Sequence, residues 1–170
     1  MDIKKHITAL GFVPKDGTNG IYHKIYVDYA IEIDFEKQSI NYGGGITADS
    51  KTTQNFSDAE NFVVLECVDR LLTKGYKPQN LILEKTWPSG HGTSGRLDIC
   101  VNREDGTPYM LIECKTYGKE YNKELARIRK DGGQLFTYFQ LSGGKADVLM
   151  LYASESVSYT HLTLPTTSRV

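Results

Sequence analysis

Three side chains in the second half of this chain are of types that could do chemistry together: Asp98 in GRLDICV, and Glu113 and Lys115 in MLIECKT. In an extended strand successive side chains point to opposite faces, so Glu113 and Lys115 point the same way while Ile112 and Cys114 pack on the other side. By the same alternation Asp98 shares a face with Cys100, and Leu97, Ile99 and Val101 face oppositely. A hairpin between the two stretches brings Asp98 beside Glu113. Two carboxylates held close repel each other unless a cation sits between them, and a small set of hard oxygen ligands suits magnesium, which keeps its waters and takes phosphate oxygens. Lys115 beside such a site can orient or help deprotonate a water and offset charge building on a phosphoryl group. Asp2-Ile3-Lys4 and Asp49-Ser50-Lys51 repeat the acid-x-lysine spacing, but one lies at the terminus and the other in a polar loop. The same residue types also fit a solvated strand face with a cross-strand ion pair, and residue types alone leave both readings open.

The elements that must position these groups are legible in the pattern. Leu81 to Lys85, Leu97 to Val101 and Tyr109 to Lys115 read as strands, the last two joined by REDGTP, whose Asp105-Gly106 is a strong turn signal. Ahead of them SDAE, from Ser57 to Glu60, has the spacing of a capping box, and the helix it opens carries Leu65, Val68 and Leu72 along one stripe before Gly75 ends it. A charged helix is expected from about Lys119 to Lys130, then a Gly132-Gly133 break, a second helix from Gln134 to Leu141 and a strand from Ala146 to Tyr152. Upstream, a short helix precedes an alternating stretch from Ile21 to Phe35 that reads as an antiparallel meander, and GGGITADSKTTQNF, residues 43–56, reads as a flexible loop. The chain thus divides into a helix-and-meander extension over 1–56, a core over 57–153 and a tail over 154–170. The tail lacks periodicity or a packing face, reads as disordered or non-native, and resembles read-through of vector sequence.

Bulk properties exclude several classes. With 170 residues there is enough chain for one compact domain but not for two large ones. A formal net charge of −1 excludes a globally basic nucleic-acid binder, so phosphate contacts would have to come from a local patch. Cys67, Cys100 and Cys114 stand in apolar stretches without CxxC pairing, as expected of buried thiols in a reducing cytoplasm. No apolar run approaches a membrane span, nor does a leader-like segment follow the N-terminal lysines. The glycine-rich stretches do not form GxxxxGK[ST], so no P-loop motor is encoded in these residues.

GRLDICV and MLIECKT, with fourteen residues between Asp98 and Glu113, together resemble the PD-(D/E)XK nuclease signature, with Leu97 in place of the proline. Gln134 and Tyr138 in GGQLFTYFQ match the QxxxY element that follows the lysine in the RecB-like branch and in the N-terminal nuclease domain of type I restriction enzyme R subunits. The likeness to that R-subunit domain covers roughly residues 57–152. It implies an α/β fold with a restriction-endonuclease-like core, a mixed central sheet flanked by helices, here with an N-terminal β-rich extension. It further implies that Asp98 and Glu113 ligate Mg2+, that Lys115 serves the attacking water, and that Gln134 and Tyr138 support the site or contact DNA. Glu66, on the edge of the apolar stripe, is a further acid that could reach the metal, or an ordinary solvated helix position. Tyr138 fits equally a core tyrosine with its hydroxyl at the rim.

Lys119, Lys123, Arg127 and Lys130 recur at helical spacing, either as a DNA-tracking face or as a solvated charged helix offset by Glu120 and Glu124. His91, in the loop before the acidic strand, is read as a surface group. The expected function is a magnesium-dependent DNA endonuclease, the nuclease domain of a type I-like restriction-modification enzyme whose specificity and methyltransferase subunits, motor or methylase lie outside this sequence. Two alternatives stand beside it: a catalytically silent DNA-binding or assembly module of the same fold, and a structure-specific repair or recombination nuclease.

Overall fold

A computed structural model of the chain describes residues 2–88 and 95–155. His91 and residues 156–170 of the expected tail lie outside the described residues. Helix α1 (Ile3–Ala9) leads into a small antiparallel sheet of β1 (Val13–Pro14), β2 (Ile21–Tyr26), β3 (Tyr29–Asp34) and β4 (Ser39–Asn41), in that spatial order. A second, five-stranded sheet is ordered β5 (Thr47–Ala48), β6 (Leu81–Thr86), β7 (Arg96–Asn102), β8 (Pro108–Thr116) and β9 (Val148–Ser154). It is mixed: β5 runs parallel to β6 and β9 parallel to β8, whereas β6, β7 and β8 are mutually antiparallel. The expected hairpin between the Asp98 and Glu113 stretches is therefore formed, and Asp105 shapes its turn by accepting the Thr107 amide hydrogen at 2.8 Å.

Helix α2 (Glu60–Thr73) is apolar on more than one stripe. Phe62, Val63, Val64, Leu65, Cys67, Val68, Leu71 and Leu72 are all buried, as a helix covered on several sides requires. Toward the small sheet it meets Phe56, which in turn packs edge-on against Phe35. Toward the large sheet it packs on β8 and β9. Ile7, Phe12, Ile31, Ile33 and Ile40 consequently share one continuous core with α2 and with Leu83, Ile99 and Ile112. On the opposite face of the large sheet, α3 (Lys119–Asp131) and α4 (Gly133–Leu141) cover Leu97, Cys100, Leu111 and Leu151.

Several expectations change on contact with the structure. Residues 43–56 are not a free loop: β5 lies within them, and Asn61 Nδ2 donates to the carbonyls of Thr52 (3.1 Å) and Asn55 (3.0 Å), fastening the segment to α2. The capping box of Ser57 and Glu60 does not form. Ser57 donates instead to Asn55 Oδ1, and Asp58 accepts the Glu60 amide hydrogen at 2.9 Å. The last strand runs on to Ser154, the first residue of the expected tail, whose hydroxyl donates to Glu66. Strict alternation also fails once: Leu97 packs with Cys100, on the face opposite Ile99 and Val101. The break coincides with Glu84 on the neighbouring strand, whose φ of 52° is outside the extended region.

Candidate active site

Strands β7 and β8 pair in register from Val101 opposite Met110 to Ile99 opposite Ile112, and no further pair follows toward Asp98. There the Asp98 side chain takes over, its Oδ2 accepting the Cys114 amide hydrogen at 2.7 Å. A carboxylate thus replaces a backbone carbonyl as the partner of β8, the two strands part, and the gap between them holds the acids. Glu113 is 3% exposed, and its Oε1 lies 2.8 Å from Lys115 Nζ. Its Oε2 is buried without a hydrogen-bond partner in the described structure. Such an atom lacks the compensation that buried carboxylate oxygens almost always have.

The electrostatics follow from this crowding. Burial above all, then the charge of Asp98, pushes the Glu113 carboxyl up to about 8, against the pull of Lys115. Burial likewise pushes Asp98 up to about 6, with Lys115 and the Cys114 amide opposing it. Burial of Lys115 works to lower its pKa, but Glu113, Asp98 and Glu60 together outweigh that and raise it, so the amine stays an ammonium. The two acids are therefore close enough to feel each other, and neither is comfortable as a bare anion.

The expected residues divide. Asp98, Glu113 and Lys115 are brought together. Tyr138 is buried on α4 facing them, since their charges act on its hydroxyl, and it donates to the Arg96 carbonyl at 2.9 Å while its ring stacks on Trp87. Tyr138 therefore braces the start of β7. Gln134 is exposed, and the contact it makes is through its backbone, whose N–H donates to Glu124 Oε1 at 3.3 Å. Lys119, Lys123, Arg127 and Lys130 are all exposed along α3. Two of them carry the anticipated partners, Lys123 with Glu120 at 3.9 Å and Arg127 with Glu124 at 3.4 Å.

Glu66 is not brought to the acids. It is buried, and its carboxylate is taken by Arg70 (2.8 Å), the Tyr152 hydroxyl (2.9 Å) and the Ser154 hydroxyl, so its oxygens are committed to closing α2 onto β9. The helix acid that does reach the site is Glu60, a little under two turns earlier, whose Oε1 lies 3.0 Å from Lys115 Nζ. Its position in the first turn of α2 was the available signal. The capping pattern drew the reading elsewhere. Glu84 was also missed: 1% exposed, it stands close enough to Asp98 to raise that residue's pKa.

Among the described residues no group of three or more His, Cys, Asp or Glu side chains is arranged to enclose a metal ion. Two carboxylates at a gap between strands do not make a cage. They match a hard cation that keeps most of its own water and needs few protein ligands. No helix is long and apolar enough to cross a membrane among the described residues.

Fold and site together define a mixed α/β domain whose central sheet parts to seat two interacting carboxylates beside a lysine whose ammonium form they favour. Residues 59–159 match the family described as type I restriction enzyme R protein N terminus (HSDR_N), and the chain belongs to that family. Membership ties it to restriction enzymes and to a nuclease-related role. A comparison with curated proteins gave no match.

Proposed function

We propose that this chain is a magnesium-dependent DNA endonuclease domain with a restriction-endonuclease-like, PD-(D/E)XK core, working within a type I-like restriction-modification enzyme. The observation that carries the reading is the buried, unpartnered Glu113 Oε2 beside Asp98 at the point where β7 and β8 separate. A divalent cation is the simplest partner for that atom, because it would relieve both the missing hydrogen bond and the mutual repulsion of the two acids. Asp98 and Glu113 would hold it through carboxylate oxygens, and the all-oxygen donor set favours magnesium over softer metals. When bound, the ion supplies Lewis acidity toward the phosphoryl group and toward water.

The chain's own part is positional and electrostatic. In the hydrolysis a water oxygen adds to phosphorus and the bond from phosphorus to one sugar oxygen breaks. Lys115, held by Glu113 and Glu60, presents a fixed ammonium that orients the water and offsets negative charge on the phosphoryl oxygens. The exposed cations of α3 follow the same strand and would track the DNA backbone. DNA is the substrate in this reading. Target choice belongs to specificity and methyltransferase subunits, or to fused segments, outside these residues.

Cleavage of supercoiled plasmid tests the proposal, with magnesium, with EDTA, and with Glu113→Ala and Lys115→Ala in parallel. Magnesium-dependent nicking that disappears in both variants is the expected result. An inert wild type that nonetheless binds magnesium through Glu113 would point to a site awaiting partner subunits. An inert wild type that binds no magnesium would sink the proposal in favour of a silent DNA-binding or assembly module.

A further inference from the structure

Glu84 presents three features that seldom coincide: a φ of 52° on a side chain with a Cβ, a place inside a strand, and a carboxylate that is almost completely buried. The left-handed backbone costs of order 1 kcal/mol and persists only where the surroundings enforce it. Thr52 supplies part of that enforcement, donating its amide hydrogen to Oε2 at 2.9 Å and its hydroxyl to Oε1. The remaining partner is Arg96, whose Nε lies 3.3 Å from Oε1 and whose side chain is 49% exposed.

A buried acid therefore holds an open arginine, and it holds it by one nitrogen. The guanidinium carries five N–H groups in a fixed fork, and no other partner for it occurs among the described residues. Arg96 also cannot drift along the strand. Its carbonyl accepts the Tyr138 hydroxyl, and a Cβ on the preceding Gly95 would lie 2.6 Å from Tyr138 Cε1, so Tyr138 packs tightly against this stretch of backbone. Two residues further on is Asp98.

We propose that Arg96 is a phosphate-binding residue of the candidate site, gripping a DNA backbone phosphate beside the one attacked, with Glu84 as the positioning residue that aims it. The assignment rests on the nuclease reading for the identity of the polyanion. Glu84, fixed by the two Thr52 hydrogen bonds, gives Arg96 an immobile anion to pair with. An arginine is also the suitable cation here, since its planar fork meets two phosphate oxygens at once.

The test is the salt dependence of duplex DNA binding by the full chain without magnesium, read by fluorescence anisotropy for wild type, Arg96→Ala, Arg96→Lys and, as a control on net charge alone, Lys37→Ala. Circular dichroism establishes that each variant is folded. Loss of one phosphate contact makes the slope of log affinity against log salt shallower by about 0.9. That change is expected in Arg96→Ala, with recovery in Arg96→Lys and none in Lys37→Ala. Equal slopes for wild type and Arg96→Ala, or an equal change in Lys37→Ala, would overturn the assignment. A shallower slope in a protein that neither nicks DNA nor binds magnesium would leave the clamp standing and remove the nuclease reading. Absence of any DNA binding by the wild type at low salt would remove both.

Discussion

Asp98 and Cys114 are joined by a hydrogen bond from the Cys114 amide to Asp98 Oδ2, 2.7 Å long, in the place where two antiparallel strands would otherwise exchange backbone bonds. The acid needed for the site is thus also the device that opens the sheet. Because the bond favours the ionised carboxylate, it partly counters the burial that pushes Asp98 up to about 6.

Proton uptake by the two acids makes their own contribution to stability fall as pH rises. Glu113, pushed up to about 8, and Asp98, to about 6, both titrate above their ordinary values, so the folded state binds more protons than the unfolded state from about pH 4 to about 8. Urea unfolding across that range should show wild type losing stability relative to Glu113→Gln as pH rises, with the difference levelling off above about pH 8. Magnesium competes with those protons, so its stabilising effect should be larger at about pH 8.5 than at about pH 6. A difference between wild type and variant that does not vary with pH would refute the assignment.

Glu66→Ala separates structure from chemistry. It leaves Arg70, Tyr152 and Ser154 without their shared acceptor, which should cost about 3 kcal/mol and lower Tm by roughly 6–12 °C. Magnesium titration of the folded variant by calorimetry should give the wild-type affinity. A tenfold weaker affinity would return Glu66 to the cation site.

Glu60→Gln removes one of the two carboxylates that hold Lys115. The pair is partly exposed, so the stability change should be below about 1 kcal/mol. A lysine free to leave its place should slow plasmid nicking by roughly 10- to 100-fold while DNA affinity is kept. Unchanged nicking would mean that Glu113 alone positions the ammonium.

Gly95→Ala drives a methyl group to 2.6 Å from the Tyr138 ring, which is itself pinned by Trp87. Thermal unfolding should show a loss of about 1–3 kcal/mol. A neutral outcome would mean that the ring has room to retreat.

Much of this arrangement was legible because it is local. The Asp105-Gly106 turn is enough to pair the strand of Asp98 with the strand of Glu113, and the charge pairing along α3 follows from i,i+3 spacing. What escaped depends on residues distant in sequence. Strand β5 is only two residues long and exists by pairing with β6, more than thirty positions on. Glu60 and Glu66 present the same chemistry on one helix, and only the packing of α2 decides that the first meets Lys115 and the second meets Tyr152. In LILEKT nothing marks Glu84 as buried, because its partners Thr52 and Arg96 come from other segments.

The helix that supplies Glu60 is wrapped by the small sheet on one side and by the large sheet on the other. An excised cassette beginning at residue 57 would therefore lay bare Phe62 and its neighbours to water, in the helix on which the lysine partner stands. Anyone transplanting this centre onto another specificity module has to carry the first 56 residues along, as the casing that keeps the working helix in place.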